Sequence, residues 1–279
     1  MTVDPPSGPA PVDGLGWVDS LPGSLARQAR LLRALILAVE GDPRWEALEL
    51  GCSLAAGRGD ELSDLDVGLW HASGDRPADE DVDRLVAGLG EVVEVSAQPW
   101  DGTPRWWVQY ADGAQLDLVV GAADDRGGRA PGGVMLVDRG GRFATEFTPS
   151  VLRAKPGEPR QWLLDGWEAL GNTAKYLHRG SLLEAVEQIH RARQRVFQLW
   201  AAGEGVDYPL FGLTSLLDHD IAVLPPRIEA TYPTIEHVSV AEAAIALAEL
   251  LRFAGQHADQ AMSTPLEAYV VTDLQRVGR

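Results

Sequence analysis

The chain has 279 residues, 45% of them hydrophobic and 23% charged, which is enough for a sizeable core and, at this length, for two domains. Its formal net charge of -17 repels phosphate backbones and anionic membranes, so a general nucleic-acid binder is disfavoured and no membrane partner is expected. Cys52 is the only cysteine, which excludes an internal disulfide framework and a cysteine-based zinc cluster; the six histidines lack metal-ligand spacing.

The opening "MTVDPPSGPAPVDGLG" has neither a basic start nor an apolar h-region, so residues 1–20 are expected to be a disordered tail on a cytoplasmic protein. From Ser24, "SLARQARLLRALILAVE" carries helical periodicity, and "WEALELG" reads as a strand. A small-residue turn, "GCSLAAG", leads to the strand "DLDVGLW" and then to a polar helix around "ADEDVDRLVAGLG". Strand-like "EVVEVSAQ" and "RWWVQYA" follow, and Asp112-Gly113 predicts a two-residue hairpin turn into "AQLDLVVG". A last short strand, "VMLVD", stops at "RGGR". These elements predict a sheet domain over 21–150, closed by the breaker-rich "TPSVLRAKPGEP".

Beyond that boundary the pattern is helical. Leu163, Trp167, Leu170, Ala174 and Leu177 form one apolar stripe, and a capping box at Ser181 and Glu184 opens a second helix with Ala185, Ile189, Ala192, Val196 and Leu199. Another helix is expected from Ser239, with Glu242 in capping register, giving a bundle over 151–279. Charge divides unevenly: residues 1–150 carry 25 acidic and 12 basic side chains, the remainder 16 and 12.

The chemistry concentrates in "GCSLAAGRGDELSDLDVGLW". Alternation along a strand puts Asp64 and Asp66 on one face, opposite Leu65, Val67 and Leu69. Asp117 interrupts the apolar run of a later strand; if the two strands are neighbours, three carboxylates meet, and a proton or cation must relieve their repulsion. Hard oxygen ligands of this kind suit Mg2+ with substrate phosphates as further ligands. The small-residue turn from Gly51, with the Ser53 hydroxyl, can cradle a phosphate. Taken singly, such a turn is most often only a turn, Ser63 can be a local cap, and Asp117 can simply pair with an arginine.

A Gly-Ser turn, about ten residues, an Asp-x-Asp and a third Asp on a later strand resemble the signature of the DNA polymerase beta-like nucleotidyltransferase superfamily, matched here by Gly51, Ser53, Asp64, Asp66 and Asp117. The family's usual glycine before the serine is Cys52 in this chain. The resemblance covers residues 45–121 and implies an α+β fold, with a mixed β-sheet domain, flanking helices and a C-terminal helical bundle. The order of domains, with "TAKYLHRGSLLEAVEQI", is similar to the aminoglycoside nucleotidyltransferases, which place their drug between two domains. It implies Mg2+-dependent transfer of a nucleoside monophosphate, expected to be AMP from ATP, to a hydroxyl of a small, cationic or neutral acceptor such as an aminoglycoside, with the helical domain completing the cleft. Asp64, Asp66 and Asp117 would be the catalytic and metal residues, and Gly51, Ser53, Ser63 and Lys175 would hold the nucleotide. Lys175, one of two lysines, reads equally as part of a solvated helix face. Transfer to a protein or RNA hydroxyl, or a non-enzymatic nucleotide-binding regulator, are the competing readings.

Overall fold

The computed structural model of the chain describes residues 13–99, 102–146, 153–218, 223–260 and 264–278. Two compact units make up the chain, Met1–Thr148 and Pro149–Arg279. The fold is α+β, with a mixed sheet in the first unit and helices alone in the second. No helix among the described residues is long and apolar enough to cross a membrane.

The sheet has six strands, β1 Trp45–Leu50, β2 Leu65–His71, β3 Val92–Ala97, β4 Arg105–Tyr110, β5 Gln115–Ala122 and β6 Val134–Asp138, in the order β3-β4-β5-β2-β1-β6. Only β2 and β5 run parallel; the other neighbours are antiparallel. Strand alternation sorts the residues between two faces. Leu48, Leu50, Leu65, Val67, Leu69, Trp106, Val108, Leu116 and Leu118 belong to the main core. Against them pack α2, Ala26–Gly41, through Leu31, Leu32, Leu35, Ile36 and Val39, and α4, Asp79–Gly88, through Val82 and Val86. The opposite face carries Glu49, Asp66, Trp107 and Asp117, and at one end a small apolar cluster of Ala47, Trp70, Ala123, Met135 and Phe143. Gly68 is required there: a β-carbon on it would lie 2.6 Å from the Trp70 ring.

Two local features of the sheet unit depart from the sequence expectations. Part of the supposed tail is folded: α1, Gly14–Asp19, buries Val18 in the core, and Gly14 is packed so tightly on the Leu136 backbone that no larger residue fits. Residues 1–12 lie outside the described residues. The β4–β5 hairpin closes through three residues, since Tyr110 N–H bonds to the Ala114 carbonyl and Gly113, at φ +87°, bonds back to Tyr110. That shifts the pairing by one residue from a two-residue turn and places Trp107 opposite Asp117.

The second unit contains α5 (Glu158–His178), α6 (Leu182–Glu204), α7 (Leu213–Asp218), α8 (His237–His257) and α9 (Thr264–Val277), with 3-10 segments at Pro209–Phe211 and Ile228–Thr231. Both predicted apolar stripes are buried in one cluster with Val240, Ala244, Leu247 and Leu251. Ser181 stands at the N-cap of α6, but its side chain makes no capping bond to the helix backbone; its hydroxyl donates instead to the Glu184 carboxylate at 2.5 Å. Helix α8 instead starts at His237, ahead of Ser239, whose hydroxyl accepts the Thr234 N–H. Helix α9, which the sequence expectations do not include, adds Val270 and Leu274 to the core.

Candidate active site

Parallel pairing of β2 with β5 sets Asp66 directly beside Asp117, and Asp64 stands just before β2. Neighbouring strands are about 4.8 Å apart, so carboxylates in register on one face cannot avoid each other. The Asp66 carboxyl responds: burial first and the Asp64 charge second push its pKa up to about 6, with Asp117 adding to the rise. The Cys52 thiol opposes the shift by hydrogen-bonding the Asp66 carboxylate, and the charge of Arg105 opposes it more weakly.

Asp117 has a partner of its own. Arg105 on β4 closes a two-pronged ion pair on it, Nε donating to one oxygen at 2.6 Å and Nη2 to the other. This pair raises the guanidinium's pKa from its ordinary value, and the Asp66 and Asp64 charges add to the rise. Among the described residues no group of three or more His, Cys, Asp or Glu stands arranged as a metal cage. With Asp117 held by Arg105, two carboxylates, Asp64 and Asp66, remain for a cation. Magnesium is commonly held by one or two carboxylates together with phosphate oxygens and water, so the donor set fits it. The Asp66 carboxyl, raised first by burial and then by the Asp64 charge, is the observation that speaks for a cation there.

The loop ahead of β2 is built to hold this arrangement. Gly51 N–H bonds to the Asp66 carbonyl at 2.8 Å, locking the turn onto β2. A four-residue helix, α3 (Cys52–Ala55), follows and contains Ser53. Cys52 sits at φ +54°, in the left-handed region that a glycine occupies without strain. The chain therefore keeps the conformation for which glycine is suited while using a cysteine side chain. Ser63 is engaged locally: its hydroxyl accepts the Asp60 N–H at 2.9 Å and lies 3.2 Å from the Asp60 carboxylate. Gln28 of α2, only 2% exposed, ties down the approach to Asp64 by donating to the Ser63 carbonyl at 2.9 Å.

Lys175 belongs to α5 in the other unit, where its ammonium lies 2.7 Å from the Asn172 side-chain oxygen and 4.8 Å from the Tyr176 ring centre. A further carboxylate on the site's face, Glu49, is 4% exposed and occupied by Arg126 at 2.7 Å and by the Ala130 N–H. Sequence reasoning missed Arg105, the thiol of Cys52 and Gln28. Arg105 could have been found from its alternation with Trp107 once the hairpin loop was counted as three residues; nothing in the sequence announces Gln28.

No family model matches the sequence, and no curated protein matches it. Solved structures do. The chain is similar to solved nucleotidyltransferases. An aminoglycoside 6-adenyltransferase from Bacillus subtilis aligns at 12% identity and TM-score 0.38, covering 89% of this chain and 98% of that one. A nucleotidyltransferase-like protein from Exiguobacterium sibiricum aligns at 12% identity and TM-score 0.37, covering 90% and 89%. The GLD-2/RNP-8 complex aligns at 12% identity and TM-score 0.29, covering 85% and 77%. Likeness of this degree assigns neither an activity nor a substrate to the chain.

Proposed function

We propose that the chain is a Mg2+-dependent nucleotidyltransferase that moves a nucleoside monophosphate, expected to be AMP from ATP, onto a hydroxyl of a small molecule. The observation that carries this reading is the register pairing of Asp66 with Asp117 beside Asp64, which leaves negative charge in excess over the single Arg105. Asp64 and Asp66 would hold the cation. When bound, magnesium neutralises and orients the triphosphate so that its α-phosphorus is open to in-line attack. The turn at Gly51 and Ser53 contributes backbone N–H groups and a hydroxyl to the phosphates, and Ser63, whose hydroxyl is engaged with Asp60, is a further proposed contact to the nucleotide. Arg105 fixes Asp117 in orientation, ready to accept the proton of an incoming hydroxyl or to join the cation as a further ligand. Lys175 is proposed as a further contact to the nucleotide phosphates. Most of the acceleration would come from orientation and charge neutralisation.

The acidic imbalance of residues 1–150 favours a cationic hydroxylated acceptor, for which an aminoglycoside is the model. One observation favours a different reading: with Asp117 closed on Arg105, the chain could bind a nucleotide as a regulator without catalysis. The experiment is to incubate the protein with Mg2+, each of the four nucleoside triphosphates and aminoglycosides, lincosamides, tRNA or protein extract, following labelled nucleotide and pyrophosphate. Transfer to a small molecule supports the proposal, and weakening of that transfer with salt identifies the acceptor as a polycation. Binding without pyrophosphate release supports the regulator. Transfer to RNA or protein alone overturns the small-molecule acceptor.

A further inference from the structure

The helical unit has a pocket of its own, with a cavity of about 400 Å³ lined by Arg193, Gln194, Phe197, Gln198, Phe211 and Tyr232 among others. Arg193 is the unusual member. It lies in the middle of α6, the inward-facing side of which is otherwise built from Ala192, Val196 and Leu199, and only 6% of it is exposed. A guanidinium this far from water normally meets a carboxylate, because desolvating a charge without compensation is costly. Among the described residues Arg193 has none. Its Nε donates to the Thr231 hydroxyl at 2.9 Å and its Nη2 to the Thr231 carbonyl, so a neutral residue takes two of its five donors. The Tyr232 ring lies against its face, 3.7 Å from the guanidinium carbon to the ring centre. Burial pulls the guanidinium's pKa down from its ordinary value.

The surroundings do not supply the missing charge. In a chain with 41 acidic residues against 24 Lys and Arg, no carboxylate among the described residues lines this pocket. Gln198 is occupied, donating to the Leu210 carbonyl at 2.8 Å and accepting from Arg195 at 2.7 Å. The apolar part of the lining is unusually open: Tyr232 is 57% exposed, Leu210 53% and Phe211 46%. A buried cation with an open aromatic rim suits a ligand with an anionic end and a flat apolar body. A volume of this size is in the range of small-molecule sites.

We propose that this pocket binds a small organic oxyanion, a carboxylate or phosphate group carried on a planar apolar body. Arg193 anchors the anion, and Tyr232 and Phe211 cover the body. A polycation is excluded from it by the same charge, so this ligand is chemically distinct from a cationic acceptor. The site is independent of the nucleotidyl-transfer reading and stands or falls without it.

The test uses the full chain, titrated calorimetrically and in thermal melts with benzoate, phenyl phosphate, inorganic phosphate and benzylamine. Benzoate or phenyl phosphate should bind and raise the melting temperature, while benzylamine should not. Arg193→Gln should weaken that binding by about tenfold or more, the range for losing a hydrogen-bonded charge. Because Arg193 also secures Thr231, that variant could fail to fold. Thr214→Trp, placed at an exposed residue of the lining, fills the cavity while leaving Arg193 in place, and it should abolish binding with the fold intact. The proposal is overturned if neither aryl anion binds, if benzylamine binds as well as they do, or if aryl-anion binding survives Thr214→Trp unchanged.

Discussion

In the sheet unit, three carboxylates share one guanidinium on a partly buried face; in the helical unit, one buried guanidinium faces no carboxylate among the described residues. The two regions are otherwise built alike, each around an apolar cluster made from regular stripes or alternations. Natural cores rarely tolerate unmatched charge, because its desolvation outweighs most single interactions. Where the imbalance persists, the missing counter-charge belongs to something that binds. The sign then indicates what binds: a cation with phosphates at Asp64 and Asp66, an anion at Arg193.

The largest test of this contrast removes charge from the sheet site. Asp64→Asn and Asp66→Asn should each lower nucleotidyl transfer by about 10³-fold or more, read as pyrophosphate release. Metal-free Asp66→Asn should at the same time melt higher than the parent, because the raised pKa means the folded state disfavours the Asp66 charge. Retained activity would remove these residues from the metal seat. A lower melting temperature for Asp66→Asn would show that the site is already balanced without a cation.

The same imbalance sets a pH dependence. The folded pKa of Asp66, about 6, lies above its ordinary 3.8, so the folded form binds that proton more tightly than the unfolded chain does. This contribution to stability is fully present below pH 3.8 and is lost as pH rises through 6. It amounts to about 3 kcal/mol across the window. Denaturant melts of metal-free protein between pH 4 and 7 should show the decline, and Asp66→Asn should flatten it. Saturating Mg2+ should also flatten it, by holding the carboxylate ionised.

These expectations differ in how far the sequence alone could reach them. The Asp-x-Asp at 64 and 66 was legible because strand alternation fixes a shared face whatever the neighbours. Asp117 could be listed, but not placed, since adjacency of β2 and β5 is a tertiary fact. Arg105 was hidden by one residue of loop length. A two-residue turn would have set Val108 against Asp117, whereas the three-residue loop puts Trp107 there and brings Arg105 diagonally across it. Arg193 was hidden differently, since on a helical wheel it reads as a charge at the edge of an apolar stripe; its burial depends on the segment that brings Thr231 and Tyr232 over it. Helix α1 escaped notice because its six residues fall within a Gly- and Pro-rich stretch.

Arg105→Gln sharpens the comparison by making the sheet site still less balanced. Losing a two-pronged, partly exposed ion pair should destabilise the metal-free protein by about 1–2 kcal/mol. Freed from its clamp, Asp117 becomes available as a third oxygen donor, so Mg2+ should raise the melting temperature of Arg105→Gln more than that of the parent. Equal shifts in the two proteins would keep Asp117 out of the cation's reach and leave proton acceptance as its role.

The smallest effect is expected at Cys52, where conformation and charge act against each other. Its left-handed backbone, φ +54°, costs an L side chain about 1 kcal/mol, which glycine escapes. Glycine also loosens the unfolded chain, which takes back about 0.4–1 kcal/mol. Cys52→Gly should therefore change stability little from the backbone alone. The thiol adds a second term, since its hydrogen bond to Asp66 favours the ionised carboxylate. Cys52→Ala keeps the strained backbone and loses the bond, so at pH 7 it should be less stable than the parent and below Cys52→Gly by at most about 0.6 kcal/mol. Both variants should push the Asp66 pKa higher than about 6, because each deletes the one side-chain donor that counters burial and the Asp64 charge there. Carboxyl carbon chemical shifts followed through a pH titration would read that change directly. An unmoved Asp66 titration in both variants would mean that the thiol contributes nothing to the site's electrostatics, leaving Cys52 as a residue whose only mark on the structure is its backbone angle.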